Sequence, residues 1–216
     1  MKKGAIFDMD GLLFDTERLY RESWQEIAVQ FGLTPDPQFP WAVAGTSGEG
    51  MQEVVRQYYP QVDAQAFIAR VVARVESMVE QHVPQKPGMR EILEYLRNKQ
   101  AKIAVASSSS QKTILHNLQK AQAESYFDAV VSGEQVENGK PAPDIFLAAA
   151  AKIGLAPQEC YVLEDGVNGA RAGIAAGCTT VMVPERDQLP DDLRKNCAGI
   201  YHSLHEVRAA MEAGEL

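Results

Sequence analysis

The sequence predicts an α/β protein with a doubly wound parallel sheet and an inserted all-helical segment. Three observations lead to this fold class. The first apolar segment, Gly4–Phe7, has no polar alternation, which is typical of a strand covered on both faces. From Lys86 onward, strand-like and helix-like segments alternate along the chain. Between Thr16 and His82, apolar residues recur with helical spacing and no strand is indicated.

The elements of the alternating region follow from their apolar runs and their capping residues. Ser109 or Ser110 can cap a helix that ends near Ala121, and Pro143 stands where a helix to Ile153 would begin. The predicted strands are Gly4–Phe7, Lys102–Ala106, Ala129–Val131, Tyr161–Leu163 and Thr179–Val183. The other predicted helices are one that starts at Pro87-Gly88, Asn168–Ala176 and Leu204–Glu212.

The helical stretch divides the chain into a core and an insertion. We expect residues 1–15 and 83–216 to form the α/β core and residues 16–82 to form a helical cap. Asp15 or Thr16 is expected to cap the first helix of this insertion. Because the insertion leaves the sheet just after the first strand, it is expected to cover the carboxyl end of that strand.

Composition limits the possible partners and the compartment. The chain has 216 residues, a formal net charge of −8 and no block of Lys and Arg, which argues against general binding to nucleic acid or a membrane surface. Its three cysteines lack CxxC spacing, so we expect buried thiols in a reducing compartment. The first apolar run is too short for a signal segment and is broken by Asp8, so a cytoplasmic protein is expected.

Polar residues follow the predicted strands at their carboxyl ends, which share one edge of a parallel sheet. We therefore expect them to converge on one site although they are distant in sequence. The residues are Asp8, Asp10, Ser107, Ser108, Lys140, Glu164 and Asp165.

These residue types suit phosphoryl transfer. Asp8 can attack phosphorus to give an aspartyl phosphate, and Asp10 can protonate the leaving oxygen and later deprotonate water. The Ser107 hydroxyl and the Ser108 amide can bind phosphate oxygens, while Lys140 offers a compact positive charge. At the end of another strand, Asp165 offers oxygen ligands suited to Mg²⁺ beside Asp8 and a nearby carbonyl, and its neighbour Glu164 is a further candidate ligand.

Four motifs in this order resemble those of the haloacid dehalogenase superfamily. They are DMDG, the serine of VASSS, the lysine of GKPAPDIF, and LED. The chain is similar to the helical-cap branch, which has a Rossmann-like core and contains sugar-phosphate phosphatases and β-phosphoglucomutase. The resemblance implies that Asp8 is the nucleophile, Asp10 the acid/base, and Ser107 and Lys140 the phosphate binders. It also implies a metal shell of Asp8, the Asp10 carbonyl, Glu164 and Asp165.

The leading function is a Mg²⁺-dependent phosphatase that acts on a small phosphorylated metabolite, such as a sugar phosphate, as a monomer or small homo-oligomer. A phosphosugar mutase is the nearest alternative. By resemblance, such mutases carry a histidine and a basic residue where this chain has Tyr20 and Gly48. A phospho-accepting signalling module is a further alternative, but it would have no helical cap. Removal of halide from carbon is a third, but its enzymes use no metal and lack an equivalent of Asp10.

Other polar residues have structural interpretations. Ser109 and Ser110 are expected to serve as helix caps, and for Asn168 and Arg171 a structural role is as plausible as a phosphate contact. Substrate specificity is expected on the cap, around Tyr20, Trp24, Gly45–Glu49 and Arg70–Arg74.

Overall fold

The computed structural model describes residues 1–46, 48–185 and 188–216. The chain folds into two units. One consists of Met1–Phe14 together with Gln85–Leu216, and the other of Asp15–Pro84. The second unit is therefore a single segment inserted into the first.

The first unit is built on a six-stranded parallel sheet with the order β3-β2-β1-β4-β5-β6. Its strands are β1 Gly4–Phe7, β2 Lys102–Ser107, β3 Ala129–Ser132, β4 Cys160–Glu164, β5 Thr179–Met182 and β6 Gly199–Ile200. The predicted fold class, a doubly wound parallel sheet, is confirmed.

Ten α-helices lie within the described residues. Those of the inserted unit are α1 Thr16–Gln30, α2 Phe39–Val43, α3 Gly48–Tyr58 and α4 Ala64–Gln81. Those of the sheet-bearing unit are α5 Met89–Asn98, α6 Gln111–Lys120, α7 Asp144–Lys152, α8 Val167–Ala175, α9 Asp191–Asn196 and α10 Leu204–Ala213. In the described part of the insertion, no residue belongs to a named strand, as predicted.

Strand β1 lies near the middle of the sheet and is buried along its whole length. Its last residue, Phe7, pairs with Val105 of β2 and with Leu163 of β4. The register therefore brings the carboxyl ends of these three strands to the same level. One face of the sheet packs against α7 through a cluster that includes Ile6 and Phe146.

The sheet differs from the prediction at its ends. Strands β2, β3 and β4 each extend to a polar residue, namely Ser107, Ser132 and Glu164. These side chains are buried, and they are held at the tips of the strands. Helix α9 and strand β6 were not predicted, since β6 has only two residues and the apolar signal of so short a strand is weak.

The helical unit has an aromatic core of its own. Trp24 packs edge-on against Phe39, with ring centroids 5.2 Å apart, and lies 5.7 Å from Phe67. Asp63 caps α4 by accepting a hydrogen bond from the amide of Ala66. In the described residues, none of the helices combines the length and apolarity that crossing a membrane would require.

Candidate active site

The candidate site lies where the strand order reverses. The sheet grows from β1 towards β2 and β3 on one side and towards β4, β5 and β6 on the other. In open α/β sheets, ligands bind outside the carboxyl ends of the strands at such a switch point. Asp8 directly follows β1, and its amide donates a hydrogen bond to the carbonyl of Leu163 in β4 at 3.0 Å.

Three carboxylates gather at this point. Asp8, Glu164 and Asp165 each present an oxygen, and these oxygens lie within 4.8 Å of one another. Asp8 and Glu164 are buried, whereas Asp165 is half-buried. Carboxylates this close repel each other strongly in a medium of low dielectric constant, so the cluster needs a compensating positive charge.

Lys140 supplies part of that charge. Its Nζ donates to Asp8 Oδ1 at 2.5 Å and to Glu164 Oε1 at 2.7 Å, and the side chain is only 9% exposed. The same nitrogen lies 3.4 Å from the carbonyl oxygen of Ala106 and 5.1 Å from the ring centroid of Phe146. Burial opposes the charged form of Lys140, but the two carboxylates raise its pKa above the ordinary value.

Burial disfavours the ionised form of Asp8 in spite of its contact with Lys140. Burial raises the pKa of Asp8 to about 8; Lys140 acts against this rise, and the neighbouring Glu164 carboxylate adds to it. A carboxylate that must be ionised to act as a nucleophile is thus stabilised in its protonated form. A second positive charge bound beside Asp8 would reverse this effect.

Two glycines make room for the carboxylates of the β4 end. A Cβ added at Gly169 in α8 would lie 1.6 Å from Glu164 Oε1, and one added at Gly11 would lie 2.1 Å from Asp165 Oδ2. Gly11 also has a φ of +90°, a left-handed conformation that other residues rarely adopt. Glu164 Oε2 accepts a hydrogen bond from the amide of Gly166 at 2.7 Å. Sequence reasoning did not identify Gly169, because only the fold brings α8 against Glu164.

Asp10 is held by a separate group of serines. Its Oδ2 accepts hydrogen bonds from Ser109 Oγ at 2.7 Å and from Ser107 Oγ at 3.2 Å. The amide of Ser109 donates to Ser107 Oγ at 3.1 Å, and its carbonyl accepts from Ser132 Oγ at 2.7 Å. The turn that follows β2 is thereby tied to the loop after β1 and to the end of β3.

The structure thus places the predicted site residues in two adjoining groups. One contains Asp8, Lys140, Glu164 and Asp165, and the other contains Asp10 and Ser107. Ser108, predicted to bind phosphate through its amide, is exposed on the turn between Ser107 and Ser109.

Ser109 corrects one structural interpretation. Ser110 is the N-cap of α6, and its hydroxyl accepts a hydrogen bond from the amide of Thr113 at 3.2 Å. Ser109 was expected to be a cap as well, but its hydroxyl instead donates to Asp10. The order of the serines in the sequence does not reveal which of them faces Asp10.

Two further interpretations concern helix starts. Asp15 occupies the N-cap position of α1, yet its side chain makes no capping hydrogen bond and instead accepts from Arg18 Nε at 3.1 Å. Arg171 pairs with Asp192 through Nε at 3.0 Å, which favours the structural role over a phosphate contact.

In the helical unit, Trp24, which was expected near the specificity-determining part of the cap, is 3% exposed and belongs to the aromatic core. Arg74 pairs with Glu26 at 2.7 Å. Ser47, within the stretch predicted to contribute to specificity, lies outside the described residues.

A cavity of about 350 Å³ lies between α1 and α2, and its lining includes Arg21 and Trp41. The Arg21 guanidinium lies 4.8 Å from the centre of the Trp41 ring.

The three clustered carboxylates fit a divalent cation. Each offers hard oxygen donors, and the one charge of Lys140 does not balance all three. Each oxygen of Glu164 already accepts one hydrogen bond, from Lys140 or from Gly166, so each keeps one lone pair for a cation.

Comparison with known proteins assigns the family. A family model described as haloacid dehalogenase-like hydrolase matches residues 5–183. The chain belongs to this family. The predicted resemblance to the haloacid dehalogenase superfamily is thereby confirmed.

Relatives within the family cover most of the chain. The phosphorylated carbohydrates phosphatase of Thermotoga maritima is 31% identical over 98% of this chain and 91% of its own length. Hexitol phosphatase B of Escherichia coli K12 is 35% identical over 83% of this chain and 82% of its own. The crystal structure of a family hydrolase from Deinococcus radiodurans R1, with bound phosphate and sodium, has a TM-score of 0.81 and 28% identity. The matched region spans 100% of this chain and 97% of the Deinococcus chain.

Proposed function

We propose that this chain is a Mg²⁺-dependent phosphatase that hydrolyses a small phosphorylated sugar or polyol through an aspartyl phosphate on Asp8. The observation that carries the proposal is the contact of a buried Asp8 with Lys140 inside a cluster of three carboxylates at the switch point of the sheet. Two relatives of 31% and 35% identity are named as phosphatases of phosphorylated carbohydrates and hexitols, which supports this substrate class.

In the first step, an oxygen of Asp8 attacks phosphorus, and the bond between phosphorus and the ester oxygen breaks. Asp10 gives its proton to the departing oxygen, which leaves as an alcohol. The hydroxyl of Ser107 and the amide of Ser108 donate hydrogen bonds to the phosphoryl oxygens. Lys140 orients Asp8 and offsets negative charge that develops at phosphorus.

In the second step, water attacks phosphorus of the aspartyl phosphate. Asp10, now ionised, takes a proton from that water, and the bond between phosphorus and Asp8 breaks. Inorganic phosphate leaves, and both aspartates return to their starting states.

The residues that would hold Mg²⁺ are Asp8, Glu164 and Asp165, with the backbone carbonyl of Asp10. When bound, the ion supplies positive charge that offsets the phosphoryl oxygens and favours the ionised form of Asp8. Burial raises the pKa of Asp8 to about 8, so the chain's own residues favour the protonated form of the nucleophile.

Hydrolysis is favoured over transfer to a second hydroxyl. A mutase must activate that hydroxyl and hold a distal phosphate with residues of the cap. Here the corresponding positions carry Tyr20 and Gly48. A phenol with an ordinary pKa of about 10 is a poor base at neutral pH, and glycine has no charge to offer. Water is therefore expected to reach the aspartyl phosphate first.

We also propose that the protein works in the cytoplasm. All three of its cysteines, Cys160, Cys178 and Cys197, are free thiols. Unpaired thiols are typical of proteins in a reducing compartment.

The test is release of inorganic phosphate from a panel of sugar phosphates, polyol phosphates and nucleotides, with Mg²⁺ or with a chelator. We expect turnover of sugar or polyol phosphates that depends on Mg²⁺ and disappears in Asp8→Asn. Full activity after exhaustive chelation, or in Asp8→Asn, would contradict the proposal. Rapid interconversion of sugar phosphates without release of phosphate would show a mutase.

A further inference from the structure

Ser109 and Ser107 lie two residues apart on one turn, and their hydroxyls donate to the same oxygen of Asp10. The two contacts differ in length, since Ser109 Oγ lies 2.7 Å from Asp10 Oδ2 and Ser107 Oγ lies 3.2 Å from it. The shorter bond is that of Ser109. The family resemblance gives a role to Ser107 but none to Ser109.

The orientation of Ser109 is determined by its backbone. Its amide donates to Ser107 Oγ at 3.1 Å, and its carbonyl accepts from Ser132 Oγ at 2.7 Å. Ser132 is fully buried at the end of β3, and its hydroxyl accepts from the amide of Glu134 at 3.1 Å. Gly133 packs on the same turn, because an added Cβ would lie 3.1 Å from the carbonyl oxygen of Ser108. The backbone of Ser109 is therefore fixed through both its amide and its carbonyl, independently of the contact of its hydroxyl with Asp10.

The two hydroxyls can thus have different tasks. When phosphate is bound, the Ser107 hydroxyl donates to a phosphoryl oxygen in the proposed reaction, and its proton is no longer directed at Asp10. Ser109 still donates to Asp10 Oδ2. A carboxyl held at Oδ2 has a defined plane and rotamer, which sets the direction from which Oδ1 approaches the leaving oxygen.

We propose that Ser109 is a positioning residue for Asp10, and that its hydroxyl keeps the acid aligned with the leaving oxygen while Ser107 binds phosphate. The inference rests on the proposed phosphatase function. Ser109 would thus act through Asp10, whereas Lys140 and Ser107 act on the phosphoryl group.

The experiment compares two aryl esters of similar size, p-nitrophenyl phosphate and phenyl phosphate, with Mg²⁺ present. Nitrophenolate leaves readily without a proton, whereas phenol has a pKa near 10, like that of tyrosine, and its departure depends on the acid. The quantity measured is kcat/KM, because it reports formation of the phosphoenzyme and not its hydrolysis.

For Ser109→Ala we expect kcat/KM to fall about 10- to 100-fold with phenyl phosphate and less than about threefold with p-nitrophenyl phosphate. Inhibition by inorganic phosphate should be unchanged, and Ser109→Thr, which keeps the hydroxyl, should restore most of the loss. Ser132→Ala should show a smaller loss of the same selectivity, which provides a second variant. Ser110→Ala, which removes the α6 cap, is the matched control and should leave the ratio of the two esters unchanged.

Equal losses with both esters, or no loss with either, would overturn the inference even if the wild type is an active phosphatase. A wild type that releases phosphate from neither aryl ester nor from the panel of sugar and polyol phosphates would instead contradict the proposed function. The two failures are therefore distinguishable.

Discussion

Gly169→Ala tests whether the fold must leave room for the Glu164 carboxylate. An added Cβ would lie 1.6 Å from Glu164 Oε1 and 2.0 Å from Cδ, so the carboxylate must move by about 2 Å to reach normal contact. That movement removes its 2.7 Å hydrogen bonds to Lys140 and to the amide of Gly166. The substitution therefore acts on the site without changing any residue proposed to take part in the chemistry.

The magnitude follows from these two bonds. A hydrogen bond to a charged group contributes about 1.5 to 3 kcal/mol, so the loss of both costs about 3 to 6 kcal/mol. Alanine in place of glycine in a helix stabilises the folded protein by about 1 kcal/mol. We expect the free energy of unfolding to fall by about 2 to 5 kcal/mol, together with weaker Mg²⁺ binding.

Urea denaturation measures the first effect and isothermal titration with Mg²⁺ the second. The matched control is Gly50→Ala, since Gly50 is also the third residue of a helix, α3, and an added Cβ there meets nothing within 4 Å. That variant should be as stable as the wild type or up to about 1 kcal/mol more stable. A Gly169→Ala variant with wild-type stability and Mg²⁺ affinity would refute the reasoning about Glu164.

Two more predictions concern the charges of the site. Because the pKa of Asp8 is raised to about 8 in the folded protein, folding favours the protonated carboxyl, and its stability contribution declines as pH rises from about 4 to about 8. With chelator present, urea denaturation should show wild type losing stability relative to Asp8→Asn over this interval; a constant difference would contradict the pKa shift. Lys140→Ala should lower kcat and weaken inhibition by inorganic phosphate in steady-state assays, and Lys140→Arg should not rescue it, because a guanidinium is larger than the ammonium between Asp8 and Glu164. Unchanged kinetics in Lys140→Ala would remove this residue from the proposed site.

Much of the sheet could be predicted from local patterns. The apolar run Gly4–Phe7 matches β1 residue for residue, because a strand buried on both faces has a clear composition. The order of polar residues at strand ends predicted which side chains converge, since parallel strands end at one edge of the sheet. Strand β6, with two residues at the sheet margin, has no comparable pattern.

The details of the site could not be predicted in the same way. Ser109 and Ser110 have the same side chain and adjacent positions, and only the path of the turn directs one to Asp10 and the other to the helix start. Gly169 is one of several small residues in α8. Its role depends on its contact with Glu164, the last residue of β4, which lies five residues earlier in the sequence. Trp24 was expected near the specificity-determining part of the cap, but aromatic partners from α2 and α4 bury it.

Detection of the covalent intermediate on Asp8 tests the central claim most directly. The enzyme is mixed with Mg²⁺ and a sugar or polyol phosphate that it hydrolyses, quenched in acid and treated with borohydride, which reduces an acyl phosphate to an alcohol. The account predicts homoserine at position 8, found by mass spectrometry of the peptide that contains it, and none when substrate is omitted. Steady turnover with no modification at Asp8, or with modification at another carboxylate, would contradict it.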